Sequence, residues 1–128
     1  MKITSLIVVL MIMAVGFLLQ STPRPQSLQK TDGFYPATVK NVVDKKCYGC
    51  HSVKGKSQDA KDALMWDSLP NLQKGKMVST LDEIIEVLDE DKMPPEDFLK
   101  KYPEAKLLPQ ERVIVKSWAE TKAASLLK

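Results

Sequence analysis

The sequence predicts an all-α domain with long loops, and three observations carry that reading. Apolar residues recur at helical spacing in three separate stretches of the folded part, no stretch alternates apolar and polar residues as a half-buried strand does, and the connections are long for a chain of 128 residues. Loops of that length in a small domain usually wrap something. The balance of 19 basic and 16 acidic residues, a formal charge of +3, does not suit a nucleic-acid binder that works by neutralising phosphates. A composition 44% hydrophobic and 27% charged argues against disorder, and the length excludes a multi-domain enzyme. With only 6% aromatic residues, the core has few large side chains and would gain from a bulky apolar guest.

The chain opens with Lys2 and an almost unbroken apolar run from Leu6 to Leu19, which reads as the n-region and h-region of an export signal. Cleavage signals are poor, either Ala14 with Gly16 or a site ending at Ser21, and the run from Ile3 to Leu19 falls just short of the roughly 20 residues of a comfortable span. A cleaved signal and a retained anchor therefore both stay open. Lys2 would hold the amino end of an anchor in the cytoplasm and place the bulk outside. A buried N-terminal core helix is the lesser alternative on the same length argument. From Ser21 to Gly33, Pro23, Pro25 and interspersed polar residues show no periodicity and read as a linker. The expected organisation is a signal or anchor over 1–21, a linker over 22–35 and a folded domain over 36–128.

Pro36 is suited to the first turn of a helix, and Val39, Val42, Val43 and Cys47 follow on one face. From His51 to Val78 the periodicity dissolves, with Met65, Trp66, Leu69 and Leu72 as scattered anchors, and a long loop with one short helix near Ala60 to Trp66 is expected. Thr80 and Glu83 form a capping-box pattern ahead of Leu81, Ile84, Ile85 and Leu88, which predicts a second helix from Leu81 to Asp89. Pro94 and Pro95 forbid its continuation. Pro109 offers the start of a C-terminal helix whose apolar face is Val113, Ile114, Val115, Trp118, Ala119 and Leu126.

Cys47-Tyr48-Gly49-Cys50-His51 is C-x-x-C-H, the attachment signature of c-type haem. Two thiols three positions apart at a helix end reach the two vinyl groups on one porphyrin edge, the next residue supplies an imidazole to the iron, and Gly49 leaves room for the ring. A thioredoxin-type dithiol would sit near a βαβ pattern, which the sequence lacks. A disulfide would close a tiny loop and constrain little. Zinc would need a further Cys or His, and the chain has only two cysteines and one histidine. The single histidine also excludes bis-histidine ligation by this chain. An internal sixth ligand is then a methionine or, less readily, a lysine. Met65 reads equally well as core filler and Met77 falls in a lysine-rich turn, whereas Met93 precedes Pro94-Pro95, a stiff segment suited to holding a thioether over an iron. An ordinary helix-terminal methionine is the plainer reading of Met93.

The run K-C-Y-G-C-H at Lys46 to His51, K-M-P-P at Lys92 to Pro95, F-L-K-K-Y-P at Phe98 to Pro103 and the pair Trp118-Ala119 together resemble the small bacterial haem-binding domain of mono-haem cytochrome c type, over about Val39 to Ala124. The first motif is highly specific for covalent haem and the second only moderately specific for an axial methionine. The resemblance implies a small cytochrome c-like helical domain with loops wrapped around one haem c. It implies thioether bonds from Cys47 and Cys50 and iron ligation by His51 and Met93. It also implies that the first and last helices cross beside the haem, with Trp118 packed there.

Lys40 to Lys61 carries six lysines against two acids, whereas Leu81 to Asp97 carries eight acids against one lysine. A lysine collar near an exposed haem edge would steer an acidic redox partner, and a pair of merely solvated faces explains the same asymmetry. The expected function is one-electron transfer outside the cytoplasm, in the periplasm, with a redox partner that is acidic or is a larger membrane oxidoreductase. His and Met ligation leaves no open coordination site, and thioether ligation raises the potential. The alternative is a haem-based sensor or small-ligand module with an open or labile sixth site. A peroxidase-like enzyme is disfavoured, because no second histidine remains for distal acid-base work.

Overall fold

The computed structural model describes residues 33–128, so the signal or anchor over 1–21 and the linker residues 22–32 lie outside the described residues. Among the described residues there are five α-helices and no strand. They are α1 (Ala37–Lys46), α2 (Gln58–Ala63), α3 (Lys74–Asp89), α4 (Glu96–Lys101) and α5 (Pro109–Leu127), with 3₁₀ turns at Leu69–Asn71 and Pro103–Ala105. The all-α class agrees with the sequence reading. No described helix is long and apolar enough to cross a membrane.

Pro36 precedes the first residue of α1, and the helix buries Val39, Val42 and Val43 on the expected face. Lys45 and Lys46 occupy its last turn, where positive charge suits the carbonyl end of the helix dipole. The packed chain begins upstream of Pro36, inside the segment expected as linker. Phe34 and Tyr35 pack against the core, and the Tyr35 hydroxyl donates to the Trp66 carbonyl at 2.7 Å. Phe34, Tyr35, Trp66 and Trp118 form one aromatic cluster with ring centroids 4.9 to 6.1 Å apart.

The second predicted helix is longer than its capping pattern indicated. α3 begins at Lys74, so Thr80 lies in its interior, 3% exposed, and caps nothing. Met77, expected in a turn, is one helical turn before Leu81 and extends the buried stripe of Thr80, Leu81, Ile84 and Leu88. That extra turn of burial outweighs the poor propensity of Gly75. The short helix expected near Ala60 to Trp66 lies earlier, over Gln58–Ala63, because Ser57 accepts from the Ala60 amide and caps it there. The chain after Pro95, for which the sequence reading had no helix, forms α4.

α5 starts at Pro109 as predicted, and Glu111 accepts the Leu108 amide at 2.9 Å to secure the first turn. Its buried stripe is Val115, Ala119 and Ala123, while Val113, assigned to the apolar face, is 60% exposed. Small residues at every fourth position let the α5 backbone come close to its neighbours. α3 packs along α5 in the most extensive helix pairing, and α1 packs against α5. Leu81 and Ala119, both fully buried, lie in the core between them.

Candidate functional site

α1 runs directly into the cysteine motif. The amides of Cys47 and Tyr48 both donate to the Val43 carbonyl at 2.9 Å, and the amides of Cys50 and His51 return to the Cys47 carbonyl at 3.2 and 3.0 Å. The winding thus continues past the helix end, and it gathers Cys47, Cys50 and His51 on the wall of one cavity of about 460 Å³. Such a volume falls within the roughly 300–1,000 Å³ typical of cofactor sites. Met93, 42 residues after His51, lines the same cavity together with Pro94 and Pro95, whereas Met65 and Met77 do not. The remaining lining is largely apolar, with Ile84 and Leu88 from α3, Leu107, and Val115 from α5.

A short strap from Leu64 to Asp67 fastens the motif. His51 Nδ1 lies 2.9 Å from the Leu64 carbonyl, and the Trp66 amide donates to the His51 carbonyl at 3.0 Å. A carbonyl only accepts, so Nδ1 carries the hydrogen, and in the neutral ring Nε2 keeps a free lone pair, as a metal ligand requires. Asp67 accepts the Tyr48 hydroxyl and the Val53 amide, the latter at 2.7 Å. These bonds hold its carboxyl below the usual carboxylate range, the Tyr48 hydroxyl contributing most. The same bond pushes the Tyr48 phenol up to about 12.

Gly55 completes the turn. A Cβ built there would fall 2.1 Å from the Cys50 carbonyl oxygen, so the returning backbone fits against the motif only without a side chain. A Cβ at Gly49 would meet no protein atom within 4 Å, so the protein itself does not require glycine at that point of the cavity wall. Burial first, then Glu111 and Cys50, pushes the Cys47 thiol up to about 12, the reverse of an activated redox thiolate. Lys46 does not join an exposed collar. It donates to the carbonyls of Glu104 and Lys106 at 2.8 and 3.1 Å and lies 3.9 Å from Glu111, tying α1 to the chain ahead of α5.

Trp118 does not line the cavity, and Trp66 does. Trp66 is 2% exposed and its indole Nε1 is the one buried side-chain polar atom among the described residues without a hydrogen-bond partner. Among the described residues no three His, Cys, Asp or Glu side chains gather to hold a bare metal ion. One imidazole with a free lone pair, two thiols and a thioether around an apolar cavity fit a large apolar macrocycle that brings its own metal. Sequence reasoning gave Leu64, Asp67 and Gly55 no role in the site and took Trp66 only as a scattered apolar anchor. Only the glycine so close to the motif offered a readable signal.

The sequence model of one protein family, the haem-binding domain, matches residues 53–121, more than half of the chain. The matched region starts two residues after His51, so the cysteine motif lies immediately ahead of it. No curated protein and no solved structure matches.

Proposed function

Starting from the haem-binding domain family, to which this chain belongs, we propose that it is a mono-haem c-type cytochrome carrying single electrons outside the cytoplasm. Cys47 and Cys50 would hold one haem c through two thioethers, and His51 and Met93 would ligate its iron. The observation that carries the reading is the polarised His51 ring, its Nδ1 committed to the Leu64 carbonyl while both thiols and the Met93 thioether share its cavity. When bound, haem supplies an iron that exchanges one electron between its ferric and ferrous states.

The protein's own work in this reading is to hold and to exclude. The Leu64 bond fixes the tautomer and orientation of His51. Ile84, Leu88, Leu107 and Val115 keep water from the cavity, which favours the less charged ferrous state and so raises the potential. With the chain's single histidine committed to the iron, no second histidine is left for distal acid-base work, which favours a carrier over a peroxidase-like enzyme in this reading. The apolar run at Leu6 to Leu19 supports export to the periplasm, as a soluble or anchored protein. With Lys40 paired to Asp44 at 2.6 Å and Lys46 tied to the chain ahead of α5, Lys45, Lys54, Lys56 and Lys61 remain for an acidic partner or a larger membrane oxidoreductase, and the encounter rate should fall with rising salt.

The test is the visible spectrum of the full chain, matured with c-type haem attachment machinery, with and without carbon monoxide. A low-spin spectrum with a sulfur-to-iron charge-transfer band and no carbon monoxide response supports the carrier. Met93→Ala should then turn the iron high-spin or water-bound and lower its potential. A wild-type spectrum that shifts on carbon monoxide would instead favour a sensor or ligand-binding module with an open sixth site. Absence of covalent haem would overturn both.

A further inference from the structure

The chain that leads from α3 to Met93 is gripped by α5. α3 closes with Asp91 in the left-handed region, φ 54°, and the Lys92 amide returns to the Val87 carbonyl at 3.0 Å, as in a Schellman motif. The Leu88 carbonyl accepts from Nη1 of Arg112 on α5, and Nη2 of the same guanidinium pairs with the Asp91 carboxylate. One turn further along α5, Lys116 pairs with Asp89 at 2.6 Å. Leu88 and Met93, which flank this exit, both line the cavity.

An exposed ion pair by itself contributes little. Arg112 differs, because its side chain is only 22% exposed and its rigid fork spans a main-chain carbonyl and a carboxylate on either side of the helix end. Asp91 is a non-glycine residue at positive φ, a strained conformation that persists where surrounding contacts hold it. The fork thereby fixes the direction in which the chain leaves α3, and Met93 lies two residues beyond Asp91.

We propose that Arg112 is a positioning residue for Met93, holding the helix exit so that the thioether stays directed at the cavity. This rests on the reading of Met93 as the sixth iron ligand. Loosening the fork would leave the haem attached while letting the thioether leave more often.

The experiment measures the rate at which imidazole displaces the sixth ligand in the ferric, full-length loaded protein, together with the sulfur-to-iron band and the melting temperature. Arg112→Ala should raise that rate roughly tenfold, the scale of losing a hydrogen bond to a charged group. Arg112→Lys, which keeps the charge without the fork, should recover part of the loss. Val39→Ala, in the buried core away from the cavity lining, is the control for general loosening. It should melt lower yet keep the wild-type displacement rate. Arg112→Ala at the wild-type rate overturns the inference, as does Val39→Ala accelerated to the same degree. Should Arg112→Ala fail to load, Asp91→Asn removes the ion pair while keeping a residue that tolerates positive φ. A wild-type rate in that variant overturns the inference, and an intermediate acceleration supports it. A wild-type protein without the sulfur band, or unchanged by Met93→Ala, defeats the Met93 reading itself and is distinguishable from a failure of Arg112 alone.

Discussion

His51 Nδ1 and the main-chain oxygen of Leu64, 13 positions further along the chain, are 2.9 Å apart. That one bond assigns the hydrogen of the ring and leaves Nε2 as its only ligating atom. His51→Ala is expected to abolish the native spectrum of the matured protein. Leu64→Ala keeps the carbonyl in place, so it should preserve the spectrum while costing up to about 2 kcal/mol of stability from a half-buried side chain. Visible spectra and thermal melts of both variants check the contrast, and a native spectrum from His51→Ala would refute the proximal role.

The Tyr48–Asp67 pair gives the motif a pH window. The folded-state carboxyl of Asp67 is depressed, so its contribution exists above the unfolded value of about 3.9 and is lost as pH falls through the folded value. The Tyr48 phenol is raised to about 12, so its contribution is present below the unfolded value near 10 and is lost as pH rises through the folded one. Asp67→Asn should therefore melt below the wild type at neutral pH, by about 1 kcal/mol at this solvent-screened site, and the gap should close on acidification. Melting curves from pH 3 to 8 decide it; a gap of constant size across that range contradicts the pairing.

Gly55→Ala should disturb the turn behind Cys50, since the added carbon would lie 2.1 and 2.7 Å from the Cys50 carbonyl oxygen and carbon, both rigid main chain. A cost of about 1–3 kcal/mol and a lower yield of loaded protein are expected. Gly49→Ala meets no protein atom, so any loss there is to be read as a clash with the cavity's guest. Equal stability of Gly55→Ala and wild type would show that the turn is not built as described.

Leu81→Ala removes a fully buried side chain from the core at the α3–α5 pairing and should cost about 3 kcal/mol. Denaturant unfolding measures it. A cost under 1 kcal/mol would mean that this pairing is not the centre of the domain.

The parts of the molecule readable in the sequence are those specified by side-chain type. Pro36 and Pro109 marked helix starts, C-x-x-C-H marked the motif, and of the three methionines weighed, Met93 lines the cavity while Met65 and Met77 do not. The reading failed where a local pattern competed with burial, as at Thr80, whose cap-like spacing to Glu83 lies inside a helix extended by Met77. It also had no access to the strap, because Leu64 and Trp66 act on His51 through main-chain groups that every residue possesses. Arg112 and Asp91 are 21 residues apart, and no periodicity links an α5 cation to the end of α3.

The short helix α2 buries no residue of its own, forms part of the cavity wall through Ala60 and Ala63 and packs extensively on no other helix. Its amide hydrogens are thus protected by little beyond one turn of local bonding and the Ser57 cap. In hydrogen exchange they should be among the first to be replaced by deuterium, well ahead of the amides of α3 and α5. A guest seated against Ala60 and Ala63 would slow them, so the exchange rate of this single short helix becomes a gauge of cofactor loading.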